Sequence, residues 1–192
     1  MTSKIKVNIL ADGGDNAIIT SDGAGSFTAS SGLASSVSSQ ITFPSNTPSF
    51  FAYMSGDQNI SNNSMTKAQF NTEDFDTDGC YDNSTNYRFT PTVAGKYFVY
   101  ACLTIKAGDY VAYATQLNIR KNGGDYIVDR ASTQNNVLFE LTMHSSGVIS
   151  FNGSTDYVEV FGLSERHAGT AQQSFVAANR RSHFGAYRII GA

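Results

Sequence analysis

Residues 70–105 constrain the fold more than any other stretch: FNTEDFDTDGCYDNSTNYRFTPTVAGKYFVYACLTI. A polar, Asp-rich connection leads through the turn Thr90-Pro91-Thr92-Val93-Ala94-Gly95 into the most apolar run of the chain. Turn residues followed by aromatic and β-branched residues mark a strand entering a packed sheet. From Lys96 the run alternates, with Tyr97, Val99, Ala101, Leu103 and Ile105 on one face. Phe98, Tyr100 and Cys102 occupy the other before Thr104 and Lys106 turn it polar. A strand apolar on both faces requires cover on both sides.

The residues around it keep the same β punctuation. Ser49–Met54 reads as an opening strand after Pro44 and Pro48, and Ser55–Lys67 as a polar loop. Along residues 111–120, Val111, Tyr113, Thr115, Leu117 and Ile119 face one way, with Ala112, Ala114, Gln116, Asn118 and Arg120 opposite. That pattern predicts a half-buried outer strand with one wet face. Asn122-Gly123 supplies a tight hairpin turn into Asp125–Arg130. Val137–Met143, Gly147–Phe151 and Tyr157–Phe161 read as three further strands. A loop at Ser164–Asn179 precedes a closing strand at Phe184–Ile190. No helical periodicity interrupts the series. The expectation is an all-β, antiparallel, two-sheet jelly-roll sandwich of eight to ten strands over residues 41–192.

Residues 1–40 differ. Two short strands are expected at Lys4–Leu10 and Asn16–Thr20, and residues 24–39 are dominated by Gly, Ala and Ser. Such a segment buries too little apolar surface to offset its ordering entropy alone. It reads as an extended anchor, with Ile5, Val7, Ile9, Ile18 and Ile19 as the side chains that dock it.

Several functions are disfavoured. Charged residues make up 15% of the chain, against roughly 25% in an average soluble domain. A net charge of −3 gives no basic surface for nucleic acid, and the one dibasic spot, Arg180-Arg181, reads as solvated surface. The start Met1-Thr2-Ser3-Lys4 has no apolar secretion signal, and no run is long enough to span a membrane. Synthesis in a cytoplasm without membrane insertion is therefore expected. Two cysteines, Cys80 and Cys102, make no disulfide framework, and Cys102 reads as a buried free thiol. His144, His167 and His183 lack metal-site spacing and read as surface or strand-end residues. Asp74, Asp76 and Asp78 alternate like the front of a Ca2+ loop, without its glycine and bidentate Glu in register, so Ca2+ stays unassigned. No nucleophile elbow or phosphate-cradling loop occurs. The chain is read as a non-enzyme without cofactor.

Phe70-Asn71, Tyr81-Asp82, Phe89, Pro91 and Gly95-Lys96-Tyr97-Phe98-Val99, in that order, resemble the signature of the C1q / tumour-necrosis-factor-like jelly roll. Ile149-Ser150-Phe151 with Asp156-Tyr157-Val158 resembles that family's penultimate hairpin, and Phe184-Gly185-Ala186-Tyr187 its closing strand. The likeness covers residues 45–192. It implies a homotrimer in which one sheet packs on the threefold axis, with Phe98, Tyr100 and Tyr187 as interface candidates. The opening MTSKIKVNIL with AIITSDGAG is similar to the N-termini of bacteriophage head-fibre and tail-fibre structural proteins. Together, and without a collagen-like stalk, these likenesses imply a virion component. The expected protein is a short knob joined to other virion proteins through residues 1–40, displaying Ser55–Lys67 and Ser164–Asn179 toward a host-surface glycan or protein. The alternative is a free C1q-like recognition module for glycan or protein ligands.

Overall fold

The computed structural model describes residues 9–11, 13–14, 17–21, 27–29, 45–108, 112–133, 139–166 and 171–190. The chain divides after Pro44 into two compact units. In the first, β1 (Ile9–Ala11), β2 (Ala17–Ser21) and β3 (Phe27–Ala29) form a three-stranded antiparallel sheet. The third strand falls in the Gly/Ala/Ser-rich stretch that reads as linker, because Phe27-Thr28-Ala29 finds a partner in Ile19–Ser21.

In the second unit the strands are β4 (Ser49–Tyr53), β5 (Gln58–Ile60), β6 (Thr66–Lys67), β7 (Thr72–Asp76), β8 (Tyr81–Asp82) and β9 (Arg88–Phe89). They continue as β10 (Gly95–Lys106), β11 (Ala112–Lys121), β12 (Gly124–Ser132), β13 (Glu140–Phe151), β14 (Val158–Arg166), β15 (Gln173–Phe175) and β16 (His183–Arg188). One sheet runs β5-β15-β10-β16-β4-β7, with β13 also paired along β10. The other runs β12-β11-β14-β9-β8, with β6 on β14. Every pairing is antiparallel. This is the two-sheet jelly-roll sandwich expected from the strand pattern. Among the described residues the only helical turn is Ala178–Arg180.

The core explains why the signature residues are aromatic. Phe50 stacks on Tyr81 (ring centroids 4.5 Å apart) and on Phe89 (4.6 Å), and meets Phe184 edge-on at 4.9 Å. Phe89 in turn meets Tyr97 edge-on at 5.8 Å. The connection before β10 thus closes the sandwich with rings contributed by both sheets. The polar tips are satisfied: Tyr81 Oη donates to the Phe70 carbonyl (3.0 Å) and Tyr97 Oη to that of Val93 (2.8 Å). The predicted hairpin turn has its required backbone. Asn122 and Gly123 both adopt positive φ. At Gly153 (φ 74°) a side chain is also excluded by space, since a Cβ would sit 2.3 Å from the Ala94 nitrogen.

Four expectations are corrected. The stretches before Met143 and after Gly147 are one strand, β13, because β10 supplies a partner at every position from Glu140 to Phe151; Val137 lies outside the described residues. The Ser55–Lys67 loop contains β5 and β6. The Ser164–Asn179 loop contains a strand: β15 pairs with both β10 and β5, and Gln173, Ser174 and Phe175 are buried. Finally, the wet face of β11 is mostly covered, with Ala112, Ala114 and Asn118 buried; Val111 lies outside the described residues.

Candidate functional site

β10 lies between β16 and β13, so its outward side chains fall at the middle of the seven-stranded sheet. Phe98 stands in register with Tyr187 on one side and Val148 on the other. On β4 the alternation puts Phe50 and Ala52 inward and Phe51 and Tyr53 outward, and β7 sets Phe75 beside Phe51. The rings form a continuous row. Phe98 lies 6.1 Å from Tyr100 and 5.5 Å from Tyr187 between centroids, and Phe51 lies 5.4 Å from His183. Tyr100 lies flat because its partner is Gly185; a Cβ there would come within 2.4 Å of the phenol ring. Tyr187 remains 41% exposed, Phe75 48% and Val148 52%. Burial, followed by repulsion from Tyr187, raises the Tyr100 phenol.

At one end the segment 176–182 folds over the face. Ser182 Oγ accepts from the Thr104 amide (3.1 Å) and donates to the Val176 carbonyl (2.7 Å). The Cys102 thiol donates to the Arg181 carbonyl at 3.0 Å, and burial pushes that thiol up to about 11. Arg180 and Arg181, read from sequence as a solvated pair, each hold a carboxylate: Asp74 and Glu140 respectively. Arg180 also stacks over Tyr53, 4.4 Å from the ring centroid. The cover reaches Cys102 and Thr104, both buried, and stops before Tyr100.

The other sheet's outer face is built differently. Its central outward ring, Phe161, lies beneath the Arg120 guanidinium (4.1 Å) and near the Lys67 ammonium (5.6 Å). Arg120 pairs with Asp125 at 2.6 Å and Arg130 with Glu165 at 3.0 Å. Lys67 pairs with Glu159. Charged chains lie over the Phe161 ring, while Tyr126 and Val128 stand exposed on the edge strand β12.

The structure brings Phe98, Tyr100 and Tyr187 onto a single face, with Phe98 touching both others. Of the anchor residues, Ile5 and Val7 and the side chain of Ile18 lie outside the described residues. Ile9 is exposed on β1 and Ile19 half-buried on β2. Asp74, Asp76 and Asp78 do not converge: Asp74 holds Arg180, Asp76 accepts from the Tyr81 amide (2.8 Å), and Asp78 accepts from Thr77 Oγ1 (2.7 Å). His144 and His183 flank Cys102 in register, while His167 lies outside the described residues. Sequence reading missed Phe51 and Phe75 on the aromatic face. The alternation of Ser49-Phe50-Phe51-Ala52-Tyr53 carries the signal for Phe51.

No family model and no curated protein matches the chain. Among solved structures, it is similar to the globular domain of zebrafish complement 1qA protein (TM-score 0.52, 13% identity, covering 74% of this chain and 96% of that one). It is also similar to Eiger TNF from S. frugiperda (0.51, 11%, 75% and 92%). Murine APRIL gives a TM-score of 0.54 at 10% identity, over 73% of this chain and 98% of its own. At such identities the likeness speaks to architecture alone: the head has the C1q/TNF-like jelly-roll fold.

Proposed function

We propose that this chain is a bacteriophage structural protein: a short trimeric knob fixed to the virion surface by residues 1–40, with its jelly-roll head displayed outward. The observation that supports the trimer is the aromatic face of the seven-stranded sheet. Rings at the centre of a sheet, uncharged and part-exposed in one chain, are the composition of an interface core rather than of a solvated surface. The head's likeness to C1q and TNF folds favours threefold closure over pairing in twos. Particle attachment is supported by the N-terminal likeness to phage fibre proteins, and by a first unit that carries its own small sheet with Ile9 exposed. With β15 buried, the display surface shifts toward Ser55–Lys67, whose tip at residues 61–64 is exposed.

Two measurements test this reading. Light scattering of the purified chain should give three times the chain mass; a monomer mass overturns the trimer. Deleting residues 1–40 should leave a trimeric head that no longer joins particles. A truncated head that still incorporates overturns the anchor, and a full-length chain absent from purified particles leaves the free recognition module as the better reading.

A further inference from the structure

We propose that Cys102, His144 and His183 form a binding site for a thiophilic transition-metal ion, Zn2+ in the first instance. The three residues are far apart in sequence and lack motif spacing. The sheet places them in one row, because Cys102 on β10 stands directly opposite His144 on β13 and His183 on β16.

One pair of the three already stands at ligand spacing. Zn–S and Zn–N bonds of about 2.3 and 2.0–2.1 Å at a tetrahedral angle place sulfur and nitrogen about 3.5 Å apart. Cys102 Sγ and His144 Nε2 are 3.6 Å apart. The two imidazole centroids are 6.5 Å apart, against about 5 Å expected when both rings bind one tetrahedral ion. Among the described residues no three such groups stand at metal-holding distance as they are. Closure requires the two rings to approach by about 1.5 Å, and His144 is exposed and His183 half-exposed. His183 Nδ1 lies 2.8 Å from the Arg180 carbonyl. A carbonyl can only accept, so Nδ1 carries the proton and Nε2 the free lone pair. Metal-ligating histidines show this same outer-shell arrangement.

One thiolate and two imidazoles select a borderline-soft ion over Ca2+ or Mg2+, which take oxygen. On binding, the Cys102 thiol gives up the proton it now donates to the Arg181 carbonyl. That proton leaves to solvent, and water completes the fourth position. The site lies within one chain and does not depend on the assembly proposed above.

The test is Co2+ titration of the untagged full-length chain under reducing conditions, followed by competition with Zn2+. A thiolate-to-cobalt charge-transfer band in the near ultraviolet should saturate at one ion per chain and be displaced by Zn2+. It should vanish in Cys102→Ser and persist in Cys80→Ser. His144→Gln and His183→Gln should each weaken Co2+ binding at least tenfold. Both histidines reach the surface, so these variants keep the test valid if Cys102→Ser misfolds; circular dichroism in chelator checks each fold. No band in the wild-type chain, a band that survives in Cys102→Ser, or histidine variants that bind like wild type would overturn the proposal.

Discussion

The two sheets of the head share one core and present opposite outer faces. The six-stranded sheet lays Arg120 over the ring of Phe161, with Lys67 nearby and the pairs Arg120–Asp125, Arg130–Glu165 and Lys67–Glu159 around it, and leaves Tyr126 and Val128 exposed only on its edge strand β12. The seven-stranded sheet lines up Phe51, Phe75, Phe98, Tyr100 and Tyr187, and its ion pairs sit only at one end, where Arg180 and Arg181 secure the covering segment. Cationic stems over an aromatic satisfy both water and ring. Bare rings satisfy neither until something covers them. In the trimer proposed above, the difference is between a face whose central ring is covered within the chain and one covered by neighbouring copies.

The largest effect should follow from Phe98→Glu. A carboxylate forced into three copies of an apolar interface costs several kcal/mol each unless it stays wet, so the assembly should fall to monomer mass in light scattering at micromolar concentration. Its circular dichroism should remain that of the folded head. Phe161→Glu on the other sheet should leave the mass unchanged. If Phe98→Glu stays trimeric, the aromatic face is not the interface. Adjacent residues on β4 separate the two roles next. Phe50→Ala removes a ring stacked in the core and should lower monomer stability by about 3–5 kcal/mol in chemical denaturation. Phe51→Ala, on the outward side, should cost the monomer about 1 kcal/mol and weaken association instead. Equal losses at both positions would erase the distinction between the faces.

What could be read from sequence follows the same division. The inward alternation of β10 and the ring signature leading into it were legible, because burial on one face enforces a strict two-residue period. The second apolar face of β10 was legible too, yet among the described residues its expected cover ends at Cys102 and Thr104. β13 was not legible as one strand. His144-Ser145-Ser146-Gly147 breaks its apolar pattern, but Gly147 faces inward to admit Ile127, whose Cδ1 would lie 2.6 Å from any Cβ there. β15 was hidden because its polar residues are buried, with Gln173 Nε2 donating to Ser164 Oγ at 2.9 Å. The Cys102–His144–His183 row depends on the register of three strands, which no local spacing encodes.

Acid should act through the charged side of the sandwich. Asp82 is held below the usual carboxylate range chiefly by the Thr85 amide, with further hydrogen bonds from Ser84 and Asn86. Asp125 is lowered by Asn118 and then Arg120, and Asp156 by Asn122 and then Lys121. A depressed folded-state value contributes stability above the unfolded pKa of about 3.9 and loses it as pH falls through the folded values. Melting temperature should therefore be level from pH 7 to about 5 and fall below about 4. Asp82→Asn, which keeps the shape but not the charge, should remove part of that slope and cost about 1 kcal/mol at neutral pH, the exposed setting discounting more. A slope unchanged in Asp82→Asn would move the acid sensitivity elsewhere.

The smallest change tests the cover itself. Arg120→Met keeps the stem and removes the guanidinium from Phe161, so the cation–π contact is lost along with a partly exposed ion pair to Asp125. The expected cost is about 0.5–1 kcal/mol, with the mass in light scattering unchanged, since one bared ring is far less apolar surface than the row on the opposite sheet. Association of this variant beyond the wild-type mass would mean that the charge, rather than the scarcity of rings, keeps the six-stranded face unpaired. The outer faces would then owe part of their difference to the Arg120 guanidinium over Phe161, and not to the number of rings alone.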